Sequence, residues 1–318
     1  MVFVTYNDLN NDIINNLHKI PHDVDLVVGV PRSGLMLASI IALYLNKPFA
    51  DLDSFLHGNF FKVGGTKNVS QNVSSFDQIK KVLVVEDTVC SGKSLKEAKE
   101  KLNPLQSKYE LLYLAAYISS ATKNMVDVFY RIIDEERVFE WNYIHNTLLS
   151  NACIDIDGVL CRDPSPEEND DGNNYIKFIL EASPMLIPTR KVGYIVTSRL
   201  EKYRDITVEW LRKNNIEYDE LYMMDLVSMQ ERQKRGNHAQ FKAEIYQKLR
   251  KTTLFIESNA LQAQEIARIT KKAVFCVGNS TFYPEGGLYK TKSIIRYGIL
   301  RPIRRKIKMV MKRIIGKN

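Results

Sequence analysis

Cysteine is scarce in this chain of 318 residues: Cys90, Cys153, Cys161 and Cys276 are the whole complement, and no two stand in CxxC spacing. That argues against a disulfide framework and against a structural zinc site. Long hydrophobic runs are missing too, since no stretch reaches the ~18 apolar residues of a membrane-spanning helix. The first residues, MVFVTYNDLNND, have neither the basic segment nor the apolar run of a signal peptide. A reducing cytoplasm is the expected setting. No repeats or low-complexity segments stand out. What is present, 45% hydrophobic and 26% charged residues, suits two soluble domains that each bury a core.

The net charge of +8 is unevenly placed. Lys290 to Asn318 holds eleven Lys or Arg and no acid, which leaves 34 basic against 37 acidic residues elsewhere. The basicity therefore belongs to a tail. Within it Ile303, Ile307, Val310, Met311 and Ile314 recur at helical spacing, with Arg301, Arg304, Arg305, Lys308 and Lys312 on the opposite face. A basic amphipathic helix of this kind reads as membrane-surface binding, each cation adding ~1 kcal/mol near anionic lipid. Nucleic-acid binding competes, but aromatic residues are nearly absent there beyond Tyr297. A helix packed on its own protein is the third reading.

Short apolar runs that end in small, polar loops read as buried parallel strands. VDLVVGV (24–30) runs into PRSG, KVLVVEDT (81–88) into VCSGKS, and ELLYLAAYIS (110–119) follows. LMLASIIALYL and SLKEAKEKL supply helices between them. The pattern restarts at Asn151 with NACIDIDGVL, VGYIVTSR, TTLFIES and AVFCVG, separated by EKYRDITVEWLRKN and HAQFKAEIYQKLRK. The expectation is two parallel-sheet α/β domains, 1–147 and 148–290, followed by the tail 291–318. EENDDGNN (167–174) reads as a solvated loop.

VLVVEDTVCSGKS (Val82 to Ser94) resembles the signature of type I phosphoribosyltransferases: a strand, two adjacent acids, and a small-residue loop opening a helix. The resemblance implies a site for 5-phosphoribosyl pyrophosphate (PRPP). Thr88, Cys90, Ser91, Gly92, Lys93 and Ser94 would surround the 5-phosphate with N–H groups, hydroxyls and one ammonium. Glu86 and Asp87 would accept hydrogen bonds from the ribose hydroxyls. Arg32, Ser33 and Gly34, in the earlier loop, would hold the leaving pyrophosphate with Mg²⁺. The segment 57–72 looks like a hood that covers the site during reaction. Read without the resemblance, SGKS is a turn and helix cap, or a broken nucleotide-binding loop. In relatives acting on 6-oxopurines an aspartate stands third after the acidic pair; Cys90 stands there in this sequence, which points away from purine salvage.

The second half carries Asp155-Ile156-Asp157-Gly158-Val159 after an apolar strand, and DxDG(V/T) resembles haloacid dehalogenase-type phosphatases. The resemblance implies that Asp155 attacks phosphorus while Asp157 protonates the leaving alkoxide and then activates water. Thr197 would bind phosphoryl oxygens and Lys242 would neutralise charge on the nucleophile. Glu257, with Asp155 and Asp157, would hold Mg²⁺. Asn259 occupies a position where relatives often carry a further acid. About 30 residues separate the first two elements, so little or no cap is expected. By itself DxDG is also compatible with a capped acidic turn.

Together the halves resemble phosphoribosyltransferase–phosphatase fusions that install ribofuranose in bacterial surface polysaccharides. The implied sequence is transfer of 5-phosphoribose from PRPP to a sugar of a lipid-linked glycan, then removal of the 5-phosphate to leave a β-ribofuranoside. The expected partners are PRPP, that glycan and a membrane surface, with no nucleic acid and with homo-oligomers open. The expected location is the inner face of the plasma membrane. A nucleobase phosphoribosyltransferase fused to a nucleotidase is the first alternative, and a non-catalytic PRPP-sensing regulator the second.

Overall fold

The computed structural model describes residues 1–63, 75–226 and 238–286. The tail and most of the expected hood segment lie outside the described residues. The chain divides into two compact units, Met1–Tyr143 and Ile144 onward.

The first unit is built on a five-stranded, all-parallel sheet in the order β3-β2-β4-β5-β6. Its strands are β2 (Leu26–Gly29), β3 (Phe49–Asp51), β4 (Lys81–Val89), β5 (Glu110–Ile118) and β6 (Val128–Ile132). Strands covered on both faces must be apolar on both, which is why β2 and the Val82–Val85 stretch of β4 are unbroken hydrophobic runs. Alternate residues feed two cores. Val27, Leu83, Val85, Leu114 and Ala116 pack with Leu9 and Ile13 of α1 (Tyr6–Asn16) and with Leu37 and Ile41 of α2 (Ser33–Leu45). Leu26, Val28, Val82, Val84 and Ala115 pack with Leu52 and Phe55 of α3 (Leu52–Leu56) and with Leu95 and Ala98 of α4 (Lys93–Leu102). Thr5 and Asp8 start α1 with a reciprocal cap, each side chain accepting from the other's backbone N–H. A separate parallel pair, β1 (Val2–Val4) with β7 (Arg137–Phe139), completes the unit.

The second unit holds a six-stranded sheet in the order β10-β9-β8-β11-β12-β13. Its strands are β8 (Ala152–Ile154), β9 (Val192–Leu200), β10 (Tyr218–Met224), β11 (Leu254–Glu257), β12 (Val274–Cys276) and β13 (Thr281–Tyr283). All pairings are parallel except the β12–β13 edge. Its helices are α5 (Asn173–Glu181), α6 (Arg204–Lys213), α7 (His238–Lys248) and α8 (Ala260–Thr270). Cys153, Val196 and Phe255 from the sheet meet Ala243 and Tyr246 of α7 and Ala263, Ile266 and Ala267 of α8 in one core. α5 is the only helix described between β8 and β9.

Both sheets are doubly wound, with chain direction reversing between β2 and β4 in the first and between β8 and β11 in the second. Open α/β sheets bind ligands outside the carboxyl ends of strands at such switch points. The acidic motifs of both halves stand at those ends. Among the described residues no helix is long and apolar enough to cross a membrane.

Candidate active sites

In the first unit the loops after β2 and β4 meet because their strands are neighbours. Gly34, buried in the first turn of α2, is what permits the close approach. A Cβ there would stand 2.6 Å from the Val85 carbonyl oxygen and 3.1 Å from Glu86 Oε2. Gly34→Ala should therefore push α2 off the sheet end, lowering stability by about 1–3 kcal/mol. Chemical denaturation would measure this; an unchanged unfolding midpoint would contradict the packing.

Glu86 and Asp87 are both buried. Ser94 Oγ donates to Glu86 Oε1 at 2.8 Å, while Glu86 Oε2 has no hydrogen-bond partner. Burial pushes the Glu86 carboxyl up to about 7; the Ser94 hydroxyl opposes the shift and the Asp87 charge adds to it. Burial also raises Asp87, opposed by a hydrogen bond from the Trp141 indole N–H to Oδ2 at 2.8 Å. Thr88 Oγ1 is buried without a partner. Unsatisfied buried acceptors and hydroxyls are costly in a folded protein and mark where a ligand would complete the bonding.

The remaining predicted residues form the loop and helix start. Gly92 is buried at the N-terminus of α4, Ser91 and Lys93 are exposed, and the Lys93 N–H reaches Ser91 Oγ at 3.4 Å. Cys90 is exposed, its carbonyl accepting from Ser119 Oγ at 3.3 Å. Arg32 is exposed and Ser33 half-buried, both at the start of α2. The structure thus gathers Gly34, Glu86 and Ser94 within contact and sets the other residues on the same two loops.

In the second unit Asp155 follows β8, Thr197 lies on β9, Lys242 on α7 and Glu257 at the end of β11. All four are buried. Lys242 Nζ donates to Asp155 Oδ2 at 2.7 Å, Glu257 Oε2 at 2.7 Å and Gln262 Oε1 at 2.9 Å. Its three N–H bonds are thereby used, and two carboxylates that would repel are bridged. The outer oxygens are met by backbone: Ile156 N–H donates to Asp155 Oδ1, and the Ser258 and Asn259 N–H groups donate to Glu257 Oε1. Burial pushes Asp155 up, to about 7, against the pull of the Lys242 ammonium. Burial alone would lower Lys242, but Asp155 and Glu257 outweigh it and hold it above its ordinary value.

Asp157 is bound differently. The Arg199 guanidinium, fully buried, grips it with Nε at 3.2 Å from both oxygens and Nη2 at 2.7 Å from Oδ1. Arg199 Nη2 also reaches Cys161 Sγ at 3.4 Å. Arg199 lies inside the IVTSR run, yet an arginine at the end of a strand carries no signal of its partner 42 residues earlier.

Asp155, Asp157, Thr197, Lys242 and Glu257 line one cavity of about 510 Å³, joined by Asp163 and others. Gly158, next to Asp157, takes φ +75°, and a Cβ there would meet Ser258 Oγ at 2.4 Å. Asn259, standing where a further acid was sought, instead caps α8 by accepting from the Leu261 and Gln262 N–H groups. Among the described residues no group of three or more His, Cys, Asp or Glu side chains converges on a metal position. The hard oxygens of Asp155 and Glu257 suit a magnesium-type cation, whereas the Asp157 carboxylate is committed to Arg199.

The segment 167–174 is the surface loop expected, with none of its residues buried, and it runs into α5 at Asn173. Arg162 clamps Glu168 with two bonds of 2.6 Å, and Asp170 accepts from the N–H groups of Gly172, Asn174 and Tyr175. Asp171 accepts from the Tyr203 hydroxyl. Its Asn169 lines the cavity. The acids of this loop are ordered by local bonds from side chains and backbone alike.

Comparison with known proteins finds a family match in the first unit. Residues 5–148 match the family model for the phosphoribosyl transferase domain, so the N-terminal half is a domain of that class. A transcriptional regulator, GfcR of Methanosarcina mazei, is 32% identical over 96 residues, covering 30% of this chain and 47% of that protein. The chain thus spans about half the length of the curated relative it matches. Among solved structures, the Helicobacter pylori xanthine-guanine-hypoxanthine phosphoribosyltransferase is 17% identical, covering 44% of this chain and 92% of its own, at a TM-score of 0.34. A purine phosphoribosyltransferase of Pyrococcus horikoshii is 20% identical with the same coverage and a TM-score of 0.33.

Proposed function

We propose that the chain is a bifunctional ribofuranosylation enzyme. Its first unit transfers 5-phosphoribose from PRPP to a sugar hydroxyl of a lipid-linked glycan, and its second hydrolyses the 5-phosphate. The observation that carries the coupled reading is Lys242, bridging Asp155 and Glu257 at a switch point while Thr197 lines the same cavity. It supports a haloacid dehalogenase-like reading of the second unit.

In the transfer step the acceptor hydroxyl oxygen bonds to the anomeric carbon as the bond from that carbon to the pyrophosphate oxygen breaks, and the hydroxyl proton leaves with the pyrophosphate. Glu86 and Asp87 hold the ribose hydroxyls, and the loop from Thr88 to Ser94 holds the 5-phosphate. Arg32, Ser33 and Gly34 take the departing pyrophosphate.

In the second step an Asp155 oxygen bonds to phosphorus as the phosphorus–alkoxide bond breaks. Lys242 holds Asp155 in line and offsets its charge, and the Thr197 hydroxyl donates to a phosphoryl oxygen. Asp157, oriented by Arg199, passes a proton to the alkoxide and later takes one from the water that opens the acyl phosphate. Four carboxylates and one ammonium line the cavity, an unfavourable field for a phosphate dianion. Mg²⁺ held by Asp155 and Glu257 would supply the positive charge that lets nucleophile and ester approach.

Cys90 supports a sugar acceptor over a purine, because a neutral thiol cannot replace a carboxylate beside the base. The basic tail supports a membrane-bound acceptor, with the protein peripheral at the cytoplasmic face. Incubation with PRPP, Mg²⁺ and a panel of sugar and base acceptors, read by mass spectrometry, tests the proposal. A sugar product should first gain phosphoribose and then lose phosphate. Asp87→Asn should abolish the gain while phosphate release from preformed phosphoribosyl glycan continues. Turnover of a free base alone would replace this reading by the nucleobase one. A regulator's reading has one support, the matched transcriptional regulator; it requires PRPP binding with no acceptor-dependent pyrophosphate release.

A further inference from the structure

Asp87 is a buried carboxylate on which the Arg137 guanidinium acts through its charge, without a hydrogen bond between them among the described residues. The side chain that reaches it is Trp141, whose indole Nε1–H donates to Oδ2 at 2.8 Å. We infer that Trp141 is a positioning residue for phosphoribosyl transfer, locking the Asp87 carboxylate so that Oδ1 meets a ribose hydroxyl of PRPP. This rests on the reading of the first unit as a PRPP site.

The choice of an indole has a physical reason. An arginine or lysine at 2.8 Å would neutralise Asp87 and compete for both oxygens. An indole N–H is a donor only, carries no charge and offers one bond of fixed direction. It fixes Oδ2 and leaves the carboxylate its charge, which the backbone N–H groups of Asp87 and Thr88 also favour. A donor is useful only if it cannot swing away, and the ring is held on several sides. It stacks on Phe139 at 4.8 Å and 18°, with Tyr6 at 5.8 Å and Tyr117 at 6.5 Å. Tyr117 is fixed in turn, its hydroxyl donating to Asp12 Oδ2 at 3.0 Å, where Arg131 Nη1 also binds at 3.2 Å. Trp141 lies just beyond β7, the strand that pairs with β1. The small two-stranded sheet thus delivers one directed hydrogen bond to the end of β4.

The test separates positioning from packing. Trp141→Phe keeps an aromatic ring for the stack and loses the N–H. Calorimetric titration with PRPP and Mg²⁺ should show Kd raised about tenfold, as for loss of one hydrogen bond to a charged group. The unfolding midpoint should move little. Equal PRPP affinity in variant and parent would overturn the proposal. So would an affinity loss matched by an equal loss for Trp141→Leu with a collapsed unfolding midpoint. A measurement on the parent protein does not depend on any Trp141 variant folding. Its two tryptophans give two indole ¹⁵N–H resonances, and the one displaced in Asp87→Asn should shift when PRPP saturates. No displacement in either experiment would also sink the proposal. A parent protein that takes up no PRPP by calorimetry overturns the site reading itself, a result distinct from both.

Discussion

Asp155→Asn should cut phosphate release by about 10³- to 10⁴-fold while leaving transfer from PRPP intact, so that the 5-phosphorylated product accumulates. The amide keeps the size of the side chain and one oxygen for Lys242, but it cannot form the acyl phosphate. Two features make the effect large. Asp155 is buried among groups that hold it in one orientation, with Ile156 N–H on Oδ1 and Lys242 on Oδ2. Neither Glu257 nor Asp157 is free to take its place: Glu257 shares Lys242 and two backbone N–H groups, and Asp157 is gripped by Arg199. The readout is the mass of the product at matched extents of pyrophosphate release. Fully dephosphorylated product at the parent rate would refute Asp155 as nucleophile.

The chemistry-bearing strands were legible because they obey two local rules at once. VLVVED and ACIDID are buried runs that stop at acids, and a buried parallel strand can end in a carboxylate only where a crevice receives it. Lys242 was legible only by its order after Thr197, yet the fold carries it to 2.7 Å from both carboxylates. What local pattern missed was long-range or very short. The strands β1 and β7 span three residues each, below any detectable period, and they pair across more than 130 positions. With them went Trp141, whose partner Asp87 lies 54 residues away. Arg199 was hidden because a guanidinium at 0% exposure contradicts its usual surface placement; only the Asp157 carboxylate makes that burial tolerable.

Lys242→Met should be the most destabilising single change in the second unit, by about 3–5 kcal/mol at pH 8. The methionine fills similar volume, so the loss is electrostatic rather than a cavity. It leaves Asp155 and Glu257 buried with no counter-charge between them, where the ammonium had met both at 2.7 Å. The pH dependence distinguishes this cause from misfolding. In the variant the Asp155 carboxyl loses the charge that opposes its burial, so its folded pKa rises further above the unfolded one. A group whose folded pKa is raised contributes stability at low pH and loses it as pH rises through that value. The deficit relative to the parent should therefore shrink steadily as pH falls from 8 towards 5, and the parent's own curve is the control. In the parent, Asp155 is already lifted to about 7 by burial, with Lys242 opposing, so part of the same slope should be visible there and steepen in the variant. Equilibrium unfolding at several pH values gives the answer, read from the transition of the second unit. A deficit that stays constant from pH 5 to pH 8 would show that Lys242 acts by packing alone, and that the two carboxylates do not depend on its charge.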